Sequence, residues 1–248
     1  MKILFSPSEA KFKGGELVPI VKENYIFPEL FEKRVEMVKF YNEYVLSASN
    51  DELIKLFGTK KQEVIEHYKT DIFKAPSKKV IERYDGVAYD YLNYGTLSKK
   101  EQTYIDKSVI IFSNLFGAVY AGDKGLPDYK LKQGQKIGEV SCEKFYKKHF
   151  SDVLEGLLQK EEYLDLRAGF YTKFYKPTSA YTTLKFLKEG KVVSHWAKAY
   201  RGVVLRSVAQ NNIKTIDAFM TMKIENLEVK EVILKGFHRE IIYDIKEK

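Results

Sequence analysis

A single cysteine, Cys142, stands in 248 residues, so neither an internal disulfide nor a Cys-x-x-Cys redox pair can form, as suits a reducing compartment. The four histidines, His67, His149, His195 and His238, are isolated from one another and show no His-x-x-x-His spacing, so no metal site is expected. Gly-x-Gly-x-x-Gly, P-loop and Gly-x-Ser-x-Gly patterns are missing as well. Their absence removes the common routes to nucleotide-dependent and esterase chemistry, and no cofactor is expected. No stretch approaches the roughly 18 apolar residues of a membrane span. Ile3, Leu4 and Phe5 end at Ser6-Pro7, too short a run for a signal-peptide core, so a cytoplasmic protein with no membrane partner is expected. Repeats, low-complexity tracts and Pro/Ser linkers are also lacking. One domain over 1–248 is the economical assignment.

What remains is a folded, basic chain. The apolar fraction of 44% suffices for a full core, and the net charge of +8 with pI near 9.1 favours polyanionic partners if folding gathers the cations. They are spread as pairs, Lys60-Lys61, Lys78-Lys79, Lys99-Lys100 and Lys147-Lys148, not concentrated in a tail. Lys2 to Phe5 reads as a short buried strand feeding a polar loop, a common place for function. Pro28 suits the start of a helix in which Phe31, Val35, Val38 and Val45 recur at helical spacing. Ser49-x-x-Glu52 forms a capping box for a short helix ending at Gly58-Thr59, and a second short helix runs from about Lys61 to Tyr68. Val109 to Phe112 predicts a strand, Gly117 to Gly125 a glycine-rich turn region, Glu143 to Leu158 a helix, and Tyr163 to Leu166 a strand delivering Arg167. Glu231 to Leu234 and Glu240 to Asp244 predict two more strands. The sum is a mixed α/β (α+β) domain.

Ser194 to Arg206 sorts its residues when wound at helical pitch. His195, Lys198, Ala199, Gly202 and Arg206 fall on one face, with Trp196, Tyr200, Val203 and Val204 opposite. A flat or anionic partner can approach such a cationic, small-residue face closely; alternatively it is a solvated basic face with a packing glycine. Gly202 marks either a close approach or a helix break. The two short helices within about 49–69 match the outline of a helix-hairpin-helix, whose second helix offers free N–H groups to a phosphate, with Gly58, Lys60 and Lys61 at the turn. A ligand-free helical corner explains the same residues. Asp165 to Pro177 interleaves aromatics with Arg167, Lys173 and Lys176, a combination suited to phosphates and stacked bases, or to sealing a core. Leu126 to Lys132 repeats the mixture, with Lys130 and Lys132 on one side if extended. Asp85, in an Asp-Gly turn, is either a helix cap or a catalytic carboxylate.

Leu4-Phe5-Ser6-Pro7-Ser8-Glu9-Ala10-Lys11, Tyr84-Asp85-Gly86-Val87-Ala88-Tyr89, Asn114-Leu115-Phe116-Gly117, Pro127-Asp128-Tyr129-Lys130-Leu131, Asp165-Leu166-Arg167 and Ala197-Lys198-Ala199-Tyr200-Arg201-Gly202 occur in the order seen in the YaaA family. The chain resembles that family from residue 4 to about 206. The resemblance implies a cytosolic bacterial protein linked to hydrogen peroxide resistance, with an embedded helix-hairpin-helix and a basic cleft able to bind DNA. It assigns Ser6, Pro7 and Lys11 to the amino-terminal motif, Asp85 and Gly86 to the Asp-Gly motif, and Lys198, Arg201 and Gly202 to the late basic motif. Two departures stand out: Ser8-Glu9-Ala10 lengthens the first motif, and Lys60 replaces the second hairpin glycine.

One cysteine and no ligand cluster suit neither a thiol peroxidase nor a metal catalase, so protection is expected to be indirect. The first expectation is a DNA-binding protein that meets phosphates of duplex DNA through Lys198, Arg201, Arg206, Arg167 and Lys173 in one cleft, with His195, Lys11, Lys130 and the hairpin adding contacts. A second is an enzyme acting on a nucleobase, nucleotide or damaged DNA, with Asp85 or Asp165 as acid/base. An adaptor with an exposed apolar patch is the third.

Overall fold

The computed structural model describes residues 1–16 and 20–246, the side chains of Ser194 and His195 excepted. Lys2–Phe5 forms a strand (β1) whose last three residues are buried. Pro28–Leu30 is a single 3-10 turn, after which Phe31–Ser47 (α1) buries Met37, Val38, Tyr41 and Val45 at helical spacing. The Ser49/Glu52 capping box is fully formed and starts Asn50–Phe57 (α2); Gly58 ends it, and Gln62–Tyr68 (α3) follows. The short pieces Ser77–Lys78 (β2), Val80–Arg83 (α4) and Val87–Leu92 (α5) lead to Lys99–Ser108 (α6), also opened by a capping box, Ser98 with Glu101.

Val109–Ser113 (β3) is a wholly buried strand. Gly117–Tyr120 (β4) corrects the expectation of an irregular turn region, because Ala118 and Val119 pair with Phe112 and Ile111 across a tight reversal. Leu126–Pro127 (β5) pairs with β2. Cys142–Leu158 (α7) opens at a buried cysteine whose Sγ lies 3.6 Å from Met37 Sδ, the small core residue its apolar company suggests. Tyr163–Asp165 (β6), Tyr181–Lys188 (β7), Lys191–Val192 (β8), Ser194–Gln210 (α8), Ile216–Thr221 (α9), Leu227–Lys235 (β9) and His238–Ile245 (β10) complete the order.

The main sheet runs β4-β3-β1-β6-β7-β10-β9, with β8 on β7. Strands β3, β1, β6, β7 and β10 are mutually parallel, whereas β4 and β9 are antiparallel edges. The chain therefore leaves β1 in one direction to β3 and β4, then crosses to the other side of β1 to lay down β6, β7 and β10. Connections diverge at the carboxyl ends of β1 and β6, and that divergence opens a crevice in parallel sheets. Phe5, Ser6 and the loop after them lie on one side of it, Leu166 to Ala168 on the other.

Buried arginines tie the loops beside this edge. Arg83 donates through Nη2 to Gly14 O at 3.0 Å and Pro76 O at 2.8 Å, through Nε to Leu126 O at 3.1 Å, and through Nη1 to Phe12 O. Four carbonyls on one guanidinium fix a stretch of loop that has little regular structure of its own.

Candidate functional site

The crevice is a hollow of roughly 520 Å³ lined by Phe5 to Glu9, Gly86 to Tyr89, Gln133, Leu166, Ala168, Tyr171, Lys198 and Arg201. Its walls come from segments more than a hundred residues apart. The Ala168 N–H donates to Ser6 Oγ at 2.8 Å, stitching the end of β1 to the end of β6. Tyr89 donates its hydroxyl to Ser6 O at 2.9 Å and stands edge-on to Phe5. Gly86 has φ 135°, in the region that favours glycine, and an added Cβ would meet Ser8 Oγ at 2.7 Å. Thus Ser6, Pro7, Gly86, Lys198 and Arg201, named from the sequence, share one site.

Arg201 and Lys198 project from α8. Lys198 is exposed, and Arg201 is half-buried. Among the described residues, the Arg201 guanidinium has no hydrogen-bond acceptor or carboxylate in contact, while burial pushes its pKa below the ordinary arginine value. Guanidinium stays charged in proteins, so a partly desolvated, unpaired cation beside a hollow is poised for an anion. Gly202 explains how α8 comes so close. The helix runs unbroken through it, and a Cβ there would stand 2.1 Å from Ala88 O and 3.0 Å from Leu92 N. The small-residue face of Ala199 and Gly202 is therefore buried on α5, which selects the packing-glycine alternative over a surface for an external flat partner.

Other named residues lie elsewhere. Arg167 and Asp165 are buried against each other: Arg167 Nη2 lies 2.7 Å from Asp165 Oδ2, Nε donates to Oδ1 at 2.9 Å, and Nη1 donates to Tyr171 O and Tyr175 O at 3.1 Å. The pair is thus drawn into the frame of the turn after β6, away from the open phosphate contact and acid/base step expected for them. Arg206 caps α5 by donating to Leu92 O at 2.8 Å and Asn93 O at 3.1 Å, which corrects its expected place on a phosphate. Asp85 is neither cap nor hollow residue: Gly86 is the N-cap of α5 with no side-chain cap, and the Asp85 N–H donates to Ala10 O.

Lys11 is partly buried, its Nζ 4.0 Å from the Tyr129 ring centre, 5.6 Å from that of Tyr84 and 3.3 Å from Glu9 O. Burial, reinforced by Lys130 and opposed by Asp128, pushes its pKa down to about 7. Lys130 Nζ lies 5.8 Å over the Tyr68 ring. Lys173 is exposed at 4.8 Å from Phe170, at the end of the 3-10 turn Gly169–Lys173 that supplies Tyr171. Lys60 and Lys61 are exposed at the α2–α3 corner, where Gly58, Lys60, Lys55 and Lys132 line a separate shallow hollow. The side chain of His195 lies outside the described residues. The cations thus fall into several places, and Lys198 with Arg201 are the pair at the strand ends.

The lining residues not named as site residues from the sequence include Ser8, Glu9, Tyr89, Gln133 and Tyr171. Glu9 accepts from the Gln133 N–H at 2.9 Å, joining the loop after β1 to the 132–135 turn. Ser8 and Glu9 lay in a loop already marked as functional ground; Gln133 carried no local signal, since only folding brings it to β1.

No helix among the described residues is long and apolar enough to cross a membrane. The family model described as peroxide stress protein YaaA matches residues 1–232. A protein of Campylobacter jejuni is 49% identical over 245 residues, 99% of each chain, and a UPF0246 protein of Corynebacterium efficiens is 32% identical over 84% of this chain and 85% of its own. A UPF0246 protein of Streptomyces coelicolor is 28% identical over 84% of this chain and 82% of its own. With a match running from the first strand into the last hairpin, the chain belongs to the YaaA family of peroxide stress proteins, which includes the UPF0246 proteins.

Proposed function

We propose that the protein serves the peroxide stress response by binding DNA through its phosphate backbone, with Arg201 and Lys198 at the crevice and Lys173 beside it. The observation that carries this reading is the half-buried Arg201 guanidinium at the strand ends, without a hydrogen bond or contact ion pair among the described residues. An anion would restore the hydrogen bonds that burial removed, and phosphate accepts from the guanidinium fork in two places. The net charge of +8 supplies long-range attraction. The α2–α3 corner, with Lys60 and Lys61, offers a second contact in the manner of a helix-hairpin-helix. Backbone contacts of this kind hold DNA without reading its sequence.

Titration of duplex DNA at several salt concentrations tests the reading. Arg201, Lys198 and Lys173 together give a slope of log affinity against log salt of about −3; adding Lys60 and Lys61 takes it to about −4.5. Absence of binding at low salt, or a flat response, overturns it.

A further inference from the structure

The crevice has more in it than a phosphate needs. Its depth is formed by buried apolar and aromatic groups, Phe5, Leu166, Tyr89 and Tyr171, with Ser8, Glu9 and Gln133 among the polar lining. At roughly 520 Å³ it falls within the range of about 300–1,000 Å³ usual for pockets that enclose small organic ligands. A paired duplex is convex and keeps its bases stacked inside, so its backbone can touch Lys198 and Arg201 but nothing on it can reach Tyr89 or Tyr171. One nucleotide removed from the stack can.

We propose that the hollow between the ends of β1 and β6 receives a single unpaired nucleotide unit, its phosphate on Arg201 and Lys198 and its base against Tyr89 and Tyr171. The proposal rests on the reading of Arg201 as a phosphate contact. It extends that reading by naming what fills the space behind the phosphate. Aromatic faces accept any base, so shape and the phosphate set the preference, with Ser8, Glu9 and Gln133 available to the base edge. The unit has two sources, a nucleotide displaced from a DNA strand or a free nucleoside monophosphate.

The test compares, for the full chain, a fully paired duplex, the same duplex with one bulged nucleotide, and free deoxyadenosine monophosphate. The bulged duplex is expected to bind about tenfold tighter than the paired one, because its base is already out of the stack. Ala168→Trp fills the hollow while keeping the backbone N–H that donates to Ser6; it is expected to erase the preference for the bulged duplex. Val87→Trp, at the first turn of α5, repeats the test by another wall should the first variant fail to fold. Equal affinity for bulged and paired duplexes, or a preference untouched by both fillers, overturns the proposal while leaving backbone binding standing. Deoxyadenosine monophosphate binding that the fillers abolish, without binding of any duplex, supports the hollow's nucleotide and overturns the DNA reading instead.

Discussion

Two arginines flank the carboxyl end of β6, and their fates differ. Arg167, in the turn after the strand, has its carboxylate and two carbonyls; Arg201, on α8, has no hydrogen bond or contact ion pair among the described residues and feels Asp165 only at longer range. The first is spent on holding the turn that carries Ala168 and Tyr171, and the second is left to face the hollow. In sequence both are an arginine near aromatics and glycine. The comparison teaches that the fully satisfied cation is scaffold, and the unsatisfied one is the candidate for function.

Breaking the scaffold side should have the largest effect. Asp165→Ala leaves Arg167 buried and unpaired and is expected to cost about 3–5 kcal/mol in urea unfolding, with DNA affinity falling only as the folded fraction falls. Unchanged stability would dissolve the contrast. Gly202→Val pushes a side chain into Ala88 O, and a loss of about 1–3 kcal/mol is expected by the same measurement; a neutral result would mean that α5 and α8 separate without penalty.

Lys11 sits between the two extremes, partly buried with aromatic faces and one carbonyl. Its folded pKa, about 7, lies below the ordinary value of 10.5, so between those limits the unfolded chain binds the proton more readily. Stability therefore rises with pH across that window, by about 2 kcal/mol from pH 7 to 9. Lys11→Met should flatten this dependence in unfolding curves taken at successive pH values; a slope that persists assigns it to another group. Arg201→Gln should have the smallest effect on stability, within about 0.5 kcal/mol, yet reduce the salt slope of DNA binding by about 0.9. A stability loss like that of Asp165→Ala would make Arg201 scaffold as well.

Much of the fold was legible because its signals are local. Pro28, the Ser49/Glu52 box, Gly58 and the apolar spacing of α1 each act within a turn or two. The readings that failed involve partners distant in the chain. Gly117 to Tyr120 has a turn's composition, and pairing with β3 makes it a strand. Strand β7 was not seen, because its half-polar Tyr181 to Lys188 becomes a strand between β6 and β10. Ser98 and Glu101 carry a local signal of the same kind, a second capping box that opens α6. Within the site, Ser6 and the loop after β1 were visible as a strand end running into polar residues, and Lys198 and Arg201 as a basic face. The roles of Asp85, Asp165, Arg167 and Arg206 were not, since a charged residue looks the same in sequence whether its partner is a carboxylate, a carbonyl or water.

The amino-acid order alone determined the basic charge, the single cysteine that excludes an internal disulfide, the family, and the elements whose caps and periodicity lie within a few residues of one another. Only the tertiary structure decided which cations are free. The divergence of connections beside β1 opens a hollow at the strand ends, and the close packing of Gly202 on α5 delivers Arg201 to its edge while Arg167 and Arg206 are drawn into the frame. Desolvation and pairing depend on what surrounds a charge in space, and that is settled by contacts between residues a hundred or more positions apart.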